Sequence, residues 1–279
     1  MRDRVVDKAA EYTTPARIAV RDWLLVALSL STGIYEAIAF LSFGKVFTAF
    51  QTGNIVFLGV GVAGTRPPAG PNPVSVIISL VAFAVGAALA MRLLRASGAE
   101  TDVEGAHFFV WPRRVSLTLA VALILQVVFL AVWLATAEST GRTYFLVAVN
   151  ALAMGMQMNA VRSLHVPGTS TTAFTATFIS LVNGTATWSL GRPAARRLLG
   201  GTAAMAVGGY IGDVMLSHAH SYAPLVPVLI IAVVVTVATI VLSPKREPVR
   251  SPLFAAQLAT QAGASAGQGP ADTTAPLSP

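Results

Sequence analysis

Glu36 is an ionisable residue inside a long apolar stretch, with Thr32, Gly33 and Phe40 on its helical face. A charge there is costly unless it faces a bundle interior or water. Two readings of it stand side by side. In one, Glu36 is protonated and hydrogen-bonded across helices, with Asn54 or Asn159 as partners; in the other it couples protons or binds a cation. Gln51-Thr52-Gly53-Asn54 is the second chemical feature. Non-helical backbone at membrane depth needs partners for its N–H and C=O groups, and these side chains offer donors and acceptors that can supply them or contact a polar solute. Gly53 permits φ > 0, so Thr52-Gly53-Asn54 is the expected place for a helix break. A similar stretch, Thr169-Ser170-Thr171-Thr172 with Thr175 and Thr177, follows Pro167-Gly168. There a loop enters a helix whose N–H groups either face an anion or are simply capped. Gln157 and Asn159 sit two apart on different faces of one helix, Gly155 with Asn159 and Asn150 with Gln157. One face is read as packing and the other as lumen.

The expected solute-binding set is therefore Glu36, Gln51, Thr52, Gly53, Asn54, Gln157, Asn159, Thr171, Thr172 and Thr175, with Glu36 and Asp213 as coupling candidates. Asp213 lies beside Gly208-x-x-x-Gly212, whose small residues admit a close helix, and it is either an interior carboxylate or a solvated one near the interface. Arg162 reads as a snorkelling interface residue. His218-x-His220 lacks a third ligand, so no metal site is expected, and no cofactor either. The chain has no Walker loop, no HExxH, no dinucleotide fingerprint and no GxSxG. It is not expected to be an enzyme.

The elements that must position these residues follow from composition. The 279 residues are 54% hydrophobic and 11% charged, far from the ordinary globular mix of about 25% charged. The apolar residues come in blocks of roughly 17 to 23, the length that spans hydrocarbon. Six are clear: 23–41, 74–94, 115–137, 143–161, 198–217 and 223–242. The fold class is an all-α polytopic membrane bundle, with the lipid bilayer as its main partner. The net charge of +7 sits at block ends, not in a stripe with aromatics, so nucleic acid is not a partner. Cysteine is absent, which removes thiol chemistry and disulfides.

Residues 1–21 form a basic cytoplasmic lead-in, 22–243 the transmembrane domain and 244–279 a disordered tail rich in Ala, Gln, Gly, Ser, Thr and Pro. The first block has no small-x-small cleavage site after it and is read as a retained span. Segments 46–64 and 169–190 are apolar but polar inside, and either cross or dip and return. Lys and Arg favour the cytoplasmic side of short loops. Eight crossings split the basic residues about 13 to 6, whereas six crossings with two dips split them about 16 to 3. Six spans with both termini inside are therefore expected.

Shifting the chain by about 123 residues brings Ala37 onto Ala160, Leu41 onto Leu164, Thr52 onto Thr175 and Leu58 onto Leu181. One residue less brings Ala84-Val85-Gly86 onto Ala206-Val207-Gly208. Halves of about 22–137 and 143–242, each with three spans and one dip, would lie in opposite orientations, the inverted-repeat plan of many transporters.

Gly33-x-x-Glu36-Ala37, Phe47-x-x-Phe50-Gln51-Thr52-Gly53-Asn54, Gly155-Met156-Gln157 and Ser170-Thr171-Thr172 with Thr175 resemble the YoaK-like family of uncharacterised bacterial membrane proteins. The resemblance runs over about 23–242, and the Phe-x-x-Phe-Gln-Thr-Gly-Asn string is its most specific part. Family members usually carry Asp at the position of Glu36 and Gly at that of Ala176. The resemblance implies a multi-pass protein of the bacterial inner membrane with no assigned biochemical function. The leading expectation is a transporter of a small polar or anionic solute, with proton coupling through Glu36. A noncatalytic scaffold or sensor and a channel-like pore are the alternatives, and a homo-oligomer is compatible with each.

Overall fold

The computed structural model describes residues 14–63, 70–95, 110–166 and 192–242, all within the compact unit Met1–Pro244. The expected second dip at 169–190 and the expected disordered tail lie outside the described residues. Among those residues all regular structure is helical: α1 (Pro15–Ser42), α2 (Gln51–Val62), α3 (Pro73–Arg95), α4 (Arg113–Ala135), α5 (Thr140–Arg162), α6 (Arg192–His218) and α7 (Leu225–Val237), which runs on into a π turn, Ala238–Leu242. Six helical stretches are long and apolar enough to cross a membrane, each containing one of the six apolar blocks or nearly all of it. The first helix starts well before its apolar block, because Pro15 stands at its first position and the Thr14 hydroxyl accepts from the Arg17 N–H.

α2 is different. Its 12 residues reach about 18 Å at 1.5 Å per residue, short of the roughly 30 Å of a hydrocarbon core. The chain around it leaves and returns on one side, since the Asn72 N–H at the start of α3 donates to the Gly44 carbonyl just past the end of α1, at 3.0 Å. Between these points residues 43–50 run without helix to the depth of Glu36 and Ser79. α2 then climbs back, and Gly61 ends against Pro73.

The break in the first polar segment is thus not at Thr52-Gly53-Asn54, as expected, but ahead of it. Gly44 and Lys45, with φ of 81° and 62°, turn the chain out of α1, whereas Gln51 to Asn54 form the first turn of α2. Gly53 serves by size instead: a Cβ there would stand 3.0 Å from the Phe47 ring.

Helix directions follow from contacts. α1 and α6 run parallel, with Asp22 paired to Arg197 at 3.0 Å at one end, Gly200 against Val26, and Gly212 against Ala37 further along. α3 and α5 also run parallel, with Gly86 against Leu152, and Asn159 Nδ2 donating to the Ala87 carbonyl at 2.7 Å. α1 and α5 are antiparallel: Thr32 bonds to Gln157, while Glu36, one turn later, connects through Thr48 to Asn150, two turns earlier. The end of α4 meets the start of α7, where Trp133 Nε1 donates to the His220 carbonyl, and the start of α5, where Arg142 Nη2 donates to the Trp133 carbonyl. Arg114 at the start of α4 donates to the Leu94 carbonyl near the end of α3.

These contacts leave two faces. One carries Lys45 and Arg142. The other carries Arg17, Arg21, Arg92, Arg95, Arg113, Arg114 and Arg162, together with the first turns of α6, where Arg192, Arg196 and Arg197 stand.

The two parallel pairs are held by glycine. Lipid tails give helices no hydrophobic reason to associate, so close van der Waals packing through small residues does the work. A Cβ on Gly33 would collide with the Met205 carbonyl oxygen and stand 3.1 Å from the Gly209 nitrogen; one on Gly155 would collide with the Phe83 carbonyl oxygen and stand 3.0 Å from the Ala87 nitrogen. One on Gly208 would meet the Leu30 carbonyl, and one on Gly86 the Leu152 carbonyl. These four glycine contacts match across the two pairs with residue numbers shifted by 122, Gly33–Met205 with Gly155–Phe83 and Gly208–Leu30 with Gly86–Leu152.

Candidate functional site

Glu36 lies on the inner face of α1 and is 4% exposed. Its Oε1 accepts three hydrogen bonds from the chain that dips beside it: the Thr48 N–H at 2.9 Å, the Thr48 hydroxyl at 2.7 Å and the Ala49 N–H at 2.7 Å. The carboxyl therefore supplies the partners that non-helical backbone lacks at this depth. Asn150 Nδ2 of α5 donates to the Thr48 hydroxyl at 3.1 Å, which ties α1, the dip and α5 together. One turn away, Gln157 Nε2 donates to the Thr32 hydroxyl at 3.0 Å, and that hydroxyl donates to the Leu28 carbonyl. Neither Asn54 nor Asn159, the expected partners, reaches Glu36.

The string 51–54 holds the dip in place. Asn54 Oδ1 accepts from the Phe47 N–H at 3.0 Å, and its Nδ2 donates to the Phe47 carbonyl at 2.6 Å and to Gln51 Oε1 at 2.8 Å. Gln51 Nε2 donates to the Thr48 carbonyl, and the Ser79 hydroxyl of α3 donates to the Phe47 carbonyl. Phe47 is wedged between stacked Phe40 and Phe57 rings, with Phe50 edge-on. Gln51 and Asn54 thus stand behind the Glu36 cluster, while Thr52 is exposed on the outside of the bundle.

Asn159 belongs to the packing face with Gly155, and Asn150 and Gln157 belong to the inner face, as their spacing implies. Asp213 is exposed on the outside of α6, so of its two readings the interior carboxylate is overturned: the inner stripe of α6 is taken by Gly208 and Gly212 against α1. Thr171, Thr172 and Thr175, and the 167–170 turn, lie outside the described residues. Thr48, Ser79, Tyr35 and Gln126 are also buried and were missed by reading the sequence. Gln126 carried a signal, being an amide in the middle of an otherwise apolar α4.

Several buried polar atoms have no hydrogen-bond partner: Glu36 Oε2, Asn150 Oδ1, Gln157 Oε1, the Tyr35 hydroxyl and both amide atoms of Gln126. Each unmet group costs about 1–3 kcal/mol, so such a concentration calls for an explanation. Among the described residues no group of three or more His, Asp or Glu is placed to hold a metal ion.

Six membrane-length helices, one short dipping helix and a buried ionisable centre define a multi-pass integral membrane protein. The chain belongs to the family described as Protein of unknown function (DUF1275), which matches residues 24–238. It is also similar to the UPF0700 transmembrane protein YoaK of Bacillus subtilis (strain 168), with 32% identity over 164 residues that cover 59% of this chain and 67% of that protein. The resemblance to YoaK-like proteins is thereby established. No solved structure matches the chain.

Proposed function

We propose that this protein is a noncatalytic inner-membrane transporter of a small polar solute, built as an inverted repeat around the Glu36 centre. The observation that carries the reading is Glu36 itself: a carboxyl with one oxygen bound threefold by the dip and the other left without a partner inside the bundle. An intramembrane acid of this kind is by default a solute or coupling group. The repeat is supported by the glycine crossings that recur at a shift of 122, and by the opposite directions of α1 and α5 and of α4 and α7. Short helices that stop at depth, facing a site between repeats, are the parts from which alternating-access carriers are made. In this reading the arginine-rich face is cytoplasmic, as the positive-inside rule favours, with the start of α1 and the end of α7 on that side.

The test is solute flux in vesicles reconstituted with the purified protein, comparing wild type, Glu36→Gln and Asn54→Ala. Glu36→Gln abolishes flux by changing the centre, and Asn54→Ala lowers it by loosening the dip. Unchanged flux in both removes the assignment. The scaffold reading has one observation in its favour, the sealing of Glu36, Asn150 and Gln157, none more than 4% exposed. It requires that wild type carry no solute at all. The same sealing supports an occluded carrier over an open pore, which needs a continuous polar path.

A further inference from the structure

The identity of the free atoms at the Glu36 centre is decided by the hydroxyl groups beside them. Thr48 uses its hydroxyl proton on Glu36 Oε1, so towards Asn150 it can only accept; Nδ2 must face it and Oδ1 must face away. Thr32 uses its proton on the Leu28 carbonyl, so Gln157 likewise presents Nε2 and leaves Oε1 free. The three side chains between α1 and α5 are all more than nine-tenths buried, and each offers an oxygen without a partner: Glu36 Oε2, Asn150 Oδ1 and Gln157 Oε1. Among the described residues Glu36 takes part in no ion pair. An ionised carboxylate is acceptor-only, so the partnerless atoms of this set are one carboxylate oxygen and two amide carbonyl oxygens, all of them acceptors. A bound anion would face the carboxylate charge and these three oxygens.

We propose that Glu36, Asn150 and Gln157 bind a monovalent cation of the sodium or potassium class, with Glu36 supplying the countercharge and the two amides replacing water oxygens. A single carboxylate matched by a single positive charge leaves the buried centre neutral. A divalent ion would leave an uncompensated charge in a low-dielectric interior and ordinarily takes six to eight oxygens with several carboxylates. The inference deepens the transport reading and rests on it for access to the centre; in that reading the cation is the coupling ion or the cargo.

The experiment uses the full chain in lipid nanodiscs. Its thermal unfolding midpoint is titrated with sodium chloride and potassium chloride against choline chloride at fixed ionic strength. A ligand that binds only the folded state raises the midpoint saturably. Sodium or potassium raises it and choline does not; Glu36→Gln, which keeps the size but puts an amide donor where Oε2 stands, loses the response. Asn150→Leu and Gln157→Leu weaken the apparent affinity by about tenfold or more each, as expected for loss of a direct ligand. Thr239→Ala, exposed in the π turn that follows α7, retains it. A purely structural role for these residues lowers midpoints without altering their dependence on cation. Equal midpoints in sodium, potassium and choline for wild type overturn the proposal, as does an undiminished response in Glu36→Gln or, if that variant does not fold, in Gln157→Leu. Vesicle flux measured in parallel separates the two readings: a cation response without flux upholds the site and removes transport, and flux without a cation response does the reverse.

Discussion

At the scale of single residues, Asn54 and Glu36 divide one task between them. Residues 43–50 carry backbone groups that no regular helix satisfies, and these two side chains meet four of them, Asn54 the N–H and carbonyl of Phe47 and Glu36 the N–H groups of Thr48 and Ala49. Asn54→Ala leaves the Phe47 N–H unmet, while the Phe47 carbonyl keeps its bond from Ser79. A loss of about 1–3 kcal/mol is expected, read by thermal unfolding in detergent. Thr52→Ala, two positions away but exposed, is expected to stay within about 0.5 kcal/mol of wild type. If Thr52→Ala proves the more damaging of the two, the assignment of Asn54 as the residue that holds the dip fails. The string that reads in sequence as a solute-binding loop is, in the fold, largely the support behind one.

At the scale of helices, the bundle is organised by two crossings rather than by chain neighbours. α1 packs on α6 and α3 packs on α5, each pair so close that a methyl group has no room. Alanine at Gly33, Gly86, Gly155 or Gly208 drives a side chain into backbone, which cannot move aside as a flexible side chain would. Each such variant is expected to cost about 1–3 kcal/mol or more, and equivalent positions of the two pairs should cost similar amounts. Gly59, Gly141 and Gly209 have nothing within 4 Å of the added atom. Alanine there should be neutral or gain up to about 1 kcal/mol from helix propensity. Unfolding midpoints for the seven variants test this; a damaging Gly209→Ala beside a silent Gly208→Ala would mean that the rotation of α6 about its axis is wrong.

At the scale of the whole molecule, direction is the property that matters. The ends of α1, α4 and α6 share a face with the starts of α3, α5 and α7, which requires α2 to dip and return. The chain has no cysteine, so single cysteines can be introduced without a background. With a membrane-impermeant thiol reagent in oriented vesicles, Asn72→Cys and Ala137→Cys are expected to label from one side, and Arg95→Cys and Ser163→Cys from the other. Lys45→Cys, ahead of α2, is expected to label from the same side as Asn72→Cys, just after it; labelling of these two from opposite sides would mean that α2 crosses, and the opposed-halves arrangement would go with it.

The number and place of the spans were legible in the sequence because crossing hydrocarbon is a one-dimensional requirement: enough consecutive apolar residues, with arginines gathered at alternate ends. Glu36 stood out for the same reason, as a charge where lipid permits none without a partner. Its partners did not stand out. Thr48 and Ala49 reach it only because Gly44 and Lys45 turn the chain inward, and Asn150 reaches Thr48 from 102 positions away. The break was misplaced onto Gly53 because a glycine needed for its small size reads in sequence like one needed for its φ. Asp213 was ambiguous because the five residues Gly208 to Gly212 do not by themselves say which side of a helix meets its neighbour. Those choices belong to tertiary packing, which sets the rotation of each helix and thereby which hydroxyl protons are already used and which buried oxygens are left without a partner.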